Sequence, residues 1–394
     1  MRLLVVTHNY PRFEGDPAGW YVWRLAQVAR DAGLEVLVLA PHAAGVRLDG
    51  AEDRLAVRRF RYGPAWLERI GYRGERPLRL LADPLSAAAL PLYAAGFVLA
   101  ARRAARDFRP DLIHAHWWLP SGWAVSGLRL PFVVTCHGTD VRLLESGLFR
   151  RLARPVLARA GAVTTVSRFL ADDIGRRAGP LPRPVQVVPM PLDVEAFARG
   201  NATPKAAPPR VLYAGNLVPA KGVDILIRAV ALVAERGTAC RLRILGEGPD
   251  RGRLKNLARD LGIADRIEWS DFVPRDAMPA EYGASTVTVL PSRGEAEGLG
   301  LALAEALCAG AAVVATPAGG IPEIVTHEET GLLARDGDAP DLAAQLERLL
   351  RDRSLRDRLT QAGSAHVRQR FSPAATAKTF LELYHSVAHD HRPR

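Results

Sequence analysis

The chain has 394 residues, 48% of them hydrophobic, 24% charged and 7% aromatic, with a formal net charge of +11. That balance excludes a disordered or fibrous polymer, and the length exceeds one ordinary hydrophobic core, so two domains are expected. Cys136, Cys240 and Cys308 stand far apart without zinc-ligand spacing, which fits free thiols in a reducing compartment and excludes a disulfide framework.

The N-terminus, MRLLVVTHNYPRFEGDP, lacks the apolar core of a signal peptide, so the cytoplasm is the expected compartment. LLVVTH (3–8) reads as a strand, Gly19 opens the helical stretch WYVWRLAQVAR, and EVLVLAP (35–41) is a second strand. Arginines then crowd at Arg58, Arg59, Arg61, Arg69, Arg73, Arg76 and Arg79, and again at Arg102, Arg103, Arg106 and Arg109. Such charge suits a solvated surface, or a basic face for a phosphorylated substrate or for peripheral contact with an anionic membrane, at its inner side. No nucleic-acid-binding module accompanies it, so no nucleic acid partner is expected. Between the two groups, PLSAAALPLYAAGFVLAA (84–101) carries no charge, but its prolines and alanines favour a buried or interfacial helix over a membrane span.

Further strands are DLIHAHW (111–117), FVVTCHG (132–138), AVTTVS (162–167) and VQVVPM (185–190). PLDVEAFARGNATPKAAPP then reads as a linker, followed by RVLYAG (210–215), LRILGEG (242–248), IEWSDFV (267–273), TVTVLPS (286–292) and AAVVATPAGG (311–320). Continuous apolar strands alternating with helices describe an α/β chain of two doubly wound parallel-sheet domains. The expected division is 1–195, a linker at 196–209, 210–371, and a C-terminal helix over 372–394 that crosses back to the first domain. Such sheets bind ligands at the carboxyl ends of their strands, so the active site is expected between the halves.

PSRGEAEGLGLALAEALCAG (291–310) places Glu297 in a strand-to-helix loop and Glu305 roughly two turns into a helix. Eight residues at about 1.5 Å each separate them by roughly 12 Å, too far for the two carboxyl groups of a glycosidase, which flank a single bond. The N–H groups of Gly298, Leu299, Gly300 and Leu301 would form the first turn, where unpaired donors attract a phosphate. A nucleotide diphosphate sugar fits: Glu297 would accept from hexose hydroxyls and Glu305 from the ribose. A capped surface helix is the plain alternative.

The continuation EALCAGAAVVATPAGGIPEIV, together with CHGTD, TTVS, VVPMPLDVEAF and LGEGP, resembles the retaining family 4 glycosyltransferases of the two-Rossmann, GT-B type. The resemblance covers nearly the whole chain, and the Glu297–Glu305 signature is its most specific part. It implies transfer of a hexose from an NDP-sugar (UDP or GDP type) to a glycan or lipid-linked hydroxyl acceptor, with retention, no cofactor and no metal. It assigns His137 to a sugar hydroxyl, Asp140 to acceptor orientation and Lys221 to the diphosphate. It also places Gly215, Asn216 and Gly246 at the donor, Gly19 near the diphosphate, and Val273 at the nucleobase through its backbone. Asn216 stands where the family usually has arginine, which leaves the diphosphate more dependent on Lys221, the helix amides or an arginine from elsewhere. An NDP-sugar epimerase of the same fold and a catalytically silent sugar-nucleotide-binding subunit are the alternatives.

Overall fold

The computed structural model describes the chain except residues 14, 17, 44, 47, 48, 53, 54, 69, 71–82, 272 and 391–394. Arg69, Arg73, Arg76 and Arg79 of the expected basic face therefore lie outside the described residues. Two compact units form, Met1–Pro191 with Pro373–Arg394, and Leu192–Ser372.

The first unit is built on an eight-stranded sheet: β1 (Arg2–Val6), β2 (Glu35–Pro41), β3 (Asp49–Glu52), β4 (Leu55–Phe60), β5 (Leu112–His116), β6 (Phe132–Cys136), β7 (Ala162–Thr165) and β8 (Gln186–Val187), in the order β3-β4-β2-β1-β5-β6-β7-β8. All pairings are parallel except β3 with β4. β1 runs RLLVV with Leu3 and Leu4 fully buried, as expected of a central strand covered on both faces. β4 alternates in LAVRRF, and its Arg59 is only 4% exposed, so this arginine belongs to the interior and not to a solvated basic face. The apolar stretch 84–101 forms part of a longer helix, Pro84–Phe108, that buries Tyr93, Phe97, Ala101 and Ala104 but leaves much of its length outside.

The last helix, Pro373–Asp390, folds with the first unit, where it packs against β5 and β6. Its Tyr384 hydroxyl bonds His114 Nδ1 at 2.7 Å.

The second unit holds β9 (Arg210–Ala214), β10 (Arg241–Leu245), β11 (Ile267–Ser270), β12 (Val287–Leu290), β13 (Ala312–Ala315) and β14 (Leu332–Leu333), all parallel, in the order β11-β10-β9-β12-β13-β14. The strand order reverses between β9 and β12, which puts the loops after them at a topological switch point. The stretch expected as a linker at 196–209 is instead folded into this unit. Asp193 caps helix Val194–Ala198, Asn201 donates to the Cys308 carbonyl at 3.0 Å, and Lys205 Nζ donates to the Ser285 and Gly310 carbonyls at 2.8 and 2.6 Å. These side chains complete the unit's carbonyl ends, and the Lys205 ammonium is held by burial to a pKa of about 8.

Candidate functional site

In the second unit, Lys221 ends the short turn Pro219–Lys221 after β9, and its ammonium pairs with the Glu297 carboxylate. Ser292 Oγ donates to the same oxygen, Oε1, at 2.6 Å, and the Ser292 carbonyl accepts from Thr316. Both donors sit on Oε1, so Oε2 keeps its acceptor sites, although the residue is only 7% exposed.

Gly300 (φ 87) caps helix Leu301–Cys308, which starts later than expected, so Glu305 lies little more than one turn inside it. Gly298, Leu299 and Gly300 precede the helix, and among the described residues their N–H groups have no backbone acceptor. Glu305 is buried and receives Arg275 Nη2 at 2.9 Å and the Tyr282 hydroxyl at 3.0 Å, one on each oxygen. A carboxylate offers about four acceptor sites, so two remain.

The loop carrying Glu297 is held by close backbone contact. A Cβ on Gly319 (φ 54) would lie 1.9 Å from the Glu297 carbonyl oxygen, and one on Gly320 2.3 Å from that of Gly298. Gly319→Ala is therefore expected to lower stability in urea by about 3 kcal/mol. The Glu297 backbone must move to admit the methyl group, and a variant with an unchanged urea midpoint would contradict this contact.

Gly246 packs equally closely on the Gly215 carbonyl, and the Asn216 carbonyl accepts from the Tyr213 hydroxyl at 2.9 Å. An arginine does lie beside the Lys221 turn, Arg293, but its guanidinium holds Asp224 at 2.7 Å and the Pro219 carbonyl at 3.1 Å. Val273 lies in the loop after β11, two residues before Arg275.

In the first unit, strand order reverses between β1 and β5, and aromatic and imidazole rings gather at the strand ends. His116 Nδ1 and His137 Nε2 are 3.0 Å apart, His8 packs on Trp117 at 4.2 Å, and Trp117 on His137 at 4.4 Å. Trp117 adopts φ 67, a left-handed conformation that costs a tryptophan energy and is maintained by its indole bond to Thr139 and its packing. Burial holds His8 to a pKa of about 4 and keeps His116 and His137 well below the usual imidazole range. The rings are neutral at pH 7.

His116 Nε2 is buried without a partner. An orphaned N–H costs more than an orphaned lone pair, so the His116 proton belongs on Nδ1 and is donated to His137 Nε2. His137 then accepts at Nε2 and carries its own proton on Nδ1.

Asp140, which the resemblance assigns to acceptor orientation, is 2% exposed and engaged by backbone N–H groups. Its carboxylate accepts from the N–H groups of Trp118, His137 and Gly138 at 3.0, 3.0 and 3.1 Å, and it fixes the loop from which His137 projects. Desolvation raises its pKa while these bonds oppose the rise. Gly19 (φ 61) caps helix Trp20–Asp31, and a Cβ there would lie 2.1 Å from the Asn9 carbonyl oxygen, so it lets that helix approach the loop after β1. Among the described residues, no group of three or more His, Cys, Asp or Glu side chains could hold a metal ion.

Sequence reasoning missed Ser292, Arg275, Tyr282, His8, His116 and Trp117. His114 and His116 carry a usable signal, since alternate residues of a strand share one face.

Two Rossmann-like units in one chain, each with polar groups at its switch point, define the GT-B class of α/β proteins. Residues 18–196 match the family described as Glycosyltransferase Family 4, and residues 195–366 the one described as Glycosyl transferases group 1. The chain belongs to the family 4 glycosyltransferases. It is 32% identical to a D-inositol 3-phosphate glycosyltransferase of Corynebacterium efficiens, over 75% of each chain. It is also 32% identical to a GDP-mannose-dependent alpha-(1-6)-phosphatidylinositol monomannoside mannosyltransferase of Mycobacterium tuberculosis, over 54% of this chain and 59% of that one. A sucrose-phosphate synthase of Thermosynechococcus elongatus shares the fold, with a TM-score of 0.81 at 22% identity over 99% of this chain and 100% of that one.

Proposed function

We propose that the chain transfers a hexosyl group from an NDP-sugar to a hydroxyl acceptor with retention of anomeric configuration. The observation that carries this reading is the triad of unpartnered N–H groups at 298–300, flanked by Glu297 and Glu305 and adjoining Lys221 through the Glu297 carboxylate. The N–H groups and the Lys221 ammonium suit the diphosphate. Glu297 Oε2 suits the sugar hydroxyls, and the remaining Glu305 sites suit the ribose. Gly215, Gly246 and the Val273 backbone border the nucleotide, of UDP or GDP type. Asn216 brings no charge, so Lys221 and the amides carry the charge that develops on the leaving group, and this reading calls for no metal.

On the acceptor side, His137 donates from Nδ1 to a sugar hydroxyl oxygen and is oriented by His116 and Asp140. Attack comes from the face the diphosphate leaves, and the departing phosphate oxygen takes the acceptor proton. The relatives' names support a transferase over an epimerase, and those acting on inositol phosphate and a phosphatidylinositol mannoside favour a polyol or lipid-linked acceptor.

Incubation with a panel of UDP- and GDP-sugars tests this: slow release of NDP and free sugar with retained anomeric configuration, read by NMR, is expected. Isomerised donor would instead identify an epimerase, and donor binding without turnover a silent subunit.

A further inference from the structure

Among the described residues, the exposed large apolar side chains all belong to the first unit and none to the second. All but Phe13, in the loop after β1, belong to a few segments that touch one another. Leu85, Leu92 and Leu99 are 45, 49 and 63% exposed and recur every seven residues along helix Pro84–Phe108. At about 1.5 Å per residue they form a stripe roughly 21 Å long. Ala88 and Ala95 fill the same face, and both are exposed. Trp66, 65% exposed, belongs to the segment that packs on this helix where Tyr62 meets Gly96 and Tyr93.

The helix lies beside the short segment Trp123–Val125, whose Trp123 is also exposed. The adjoining segment Trp118–Gly122 in turn contacts helix Gly147–Arg159, which exposes Leu148 and Leu152. Each piece touches the next, and right-handed crossovers from β4 to β5, β5 to β6 and β6 to β7 put them on the same face of the sheet. Helices Trp20–Asp31 and Pro373–Asp390 contact each other in a separate layer.

The charges on this layer have one dominant sign. Arg102, Arg103 and Arg106 continue the leucine stripe three, four and seven residues after Leu99, and all three are exposed. Arg150, Arg151 and Arg154 interleave with Leu148 and Leu152, and helix Gly147–Arg159 contains no acid. On Pro84–Phe108 the one acid is Asp107, already paired with Arg58 and Arg106.

The geometry points to docking of this layer on an anionic phospholipid surface. Leucines and tryptophans enter the boundary between headgroups and acyl chains, while the arginines meet the phosphates. A second copy of the chain is a poorer occupant, because a face-to-face pair would bring arginine clusters together. Lipid docking is separable from glycosyl transfer, since Lys221, Glu297 and Glu305 lie in the other unit and none of the exposed leucines belongs to the proposed site.

Flotation of the full chain with vesicles tests this surface. Binding is expected to vesicles of phosphatidylcholine mixed with phosphatidylglycerol, with little to phosphatidylcholine alone, and it should weaken in high salt. Leu85→Ser, Leu92→Ser and Leu99→Ser together are expected to cut that binding at least about tenfold. Because these side chains face outward, the thermal unfolding midpoint and NDP-sugar hydrolysis should be unchanged. Arg102→Gln, Arg103→Gln and Arg106→Gln together should weaken the preference for the anionic lipid, and adding Arg150→Gln, Arg151→Gln and Arg154→Gln should abolish it. Three results would overturn the inference: no binding to anionic vesicles, equal binding by the leucine variant, or self-association of the unmodified chain that the leucine variant loses.

Discussion

Lys221→Ala is expected to lower turnover of the preferred NDP-sugar by about 10²–10³-fold, the scale for losing one charged stabiliser of a leaving group. Two effects contribute and can be separated. On the proposed function the ammonium neutralises charge on the departing diphosphate; in the structure it balances the largely buried Glu297 carboxylate, which Ser292 alone would otherwise contact. Were pairing with Glu297 its whole purpose, Lys221→Ala combined with Glu297→Gln would recover activity over either single variant. If Lys221 acts on phosphate, the double variant stays as slow as the slower single one. On the same reading Glu297→Ala should itself reduce turnover at least about tenfold, roughly 1.4 kcal/mol, because the proposed contact with the sugar hydroxyls is lost. Turnover of Lys221→Ala within about twofold of the parent would remove the lysine from the chemistry.

The parallel strands were legible because each is a continuous apolar run, and β2 spans Glu35–Pro41 just as the run EVLVLAP suggests. β4 escaped because Arg58 and Arg59 interrupt its pattern, although Arg59 turns inward. The supposed linker misled for a related reason: its prolines and alanines resemble flexible chain, while the bonds from Asn201 and Lys205 that hold it run to carbonyls 80 to 107 residues away. The Glu297 and Glu305 spacing was visible, but their partners were not. Lys221 and Glu297 are 76 residues apart, and Arg275 and Glu305 are 30 apart. Local periodicity carries no information on such pairs, which only strand order brings together. At Asp140 the resemblance pointed to acceptor orientation, and local spacing gave no sign of the partners the structure shows, the N–H groups of its own turn and of Trp118.

Acid is expected to unfold the first unit well above the pH at which carboxylates protonate. In an unfolded chain His8 and His114 would titrate near 6.5, whereas burial lowers them to about 4 and about 3. Below 6.5 the unfolded chain therefore binds protons that the folded chain refuses, so stability is complete above that pH and falls as pH drops toward the folded values. At about 1.4 kcal/mol per pH unit, the loss reaches roughly 3 kcal/mol for His8 and roughly 5 for His114, against a total of about 5–15 for a typical domain. His116 and His137, also depressed by burial, act in the same direction. Asp140 opposes them, because its raised pKa lets the folded state take a proton first, but it is one group against four. Urea midpoints followed from about pH 7 to about pH 4 should fall steadily. His114→Phe should start lower, having lost its bonds to Tyr384 and Thr135, and should fall less steeply because one titrating ring is gone. Parallel curves for the parent and His114→Phe would show that this buried ring does not set the acid limit. The same burial that makes the rings vulnerable to acid keeps His137 neutral at pH 7.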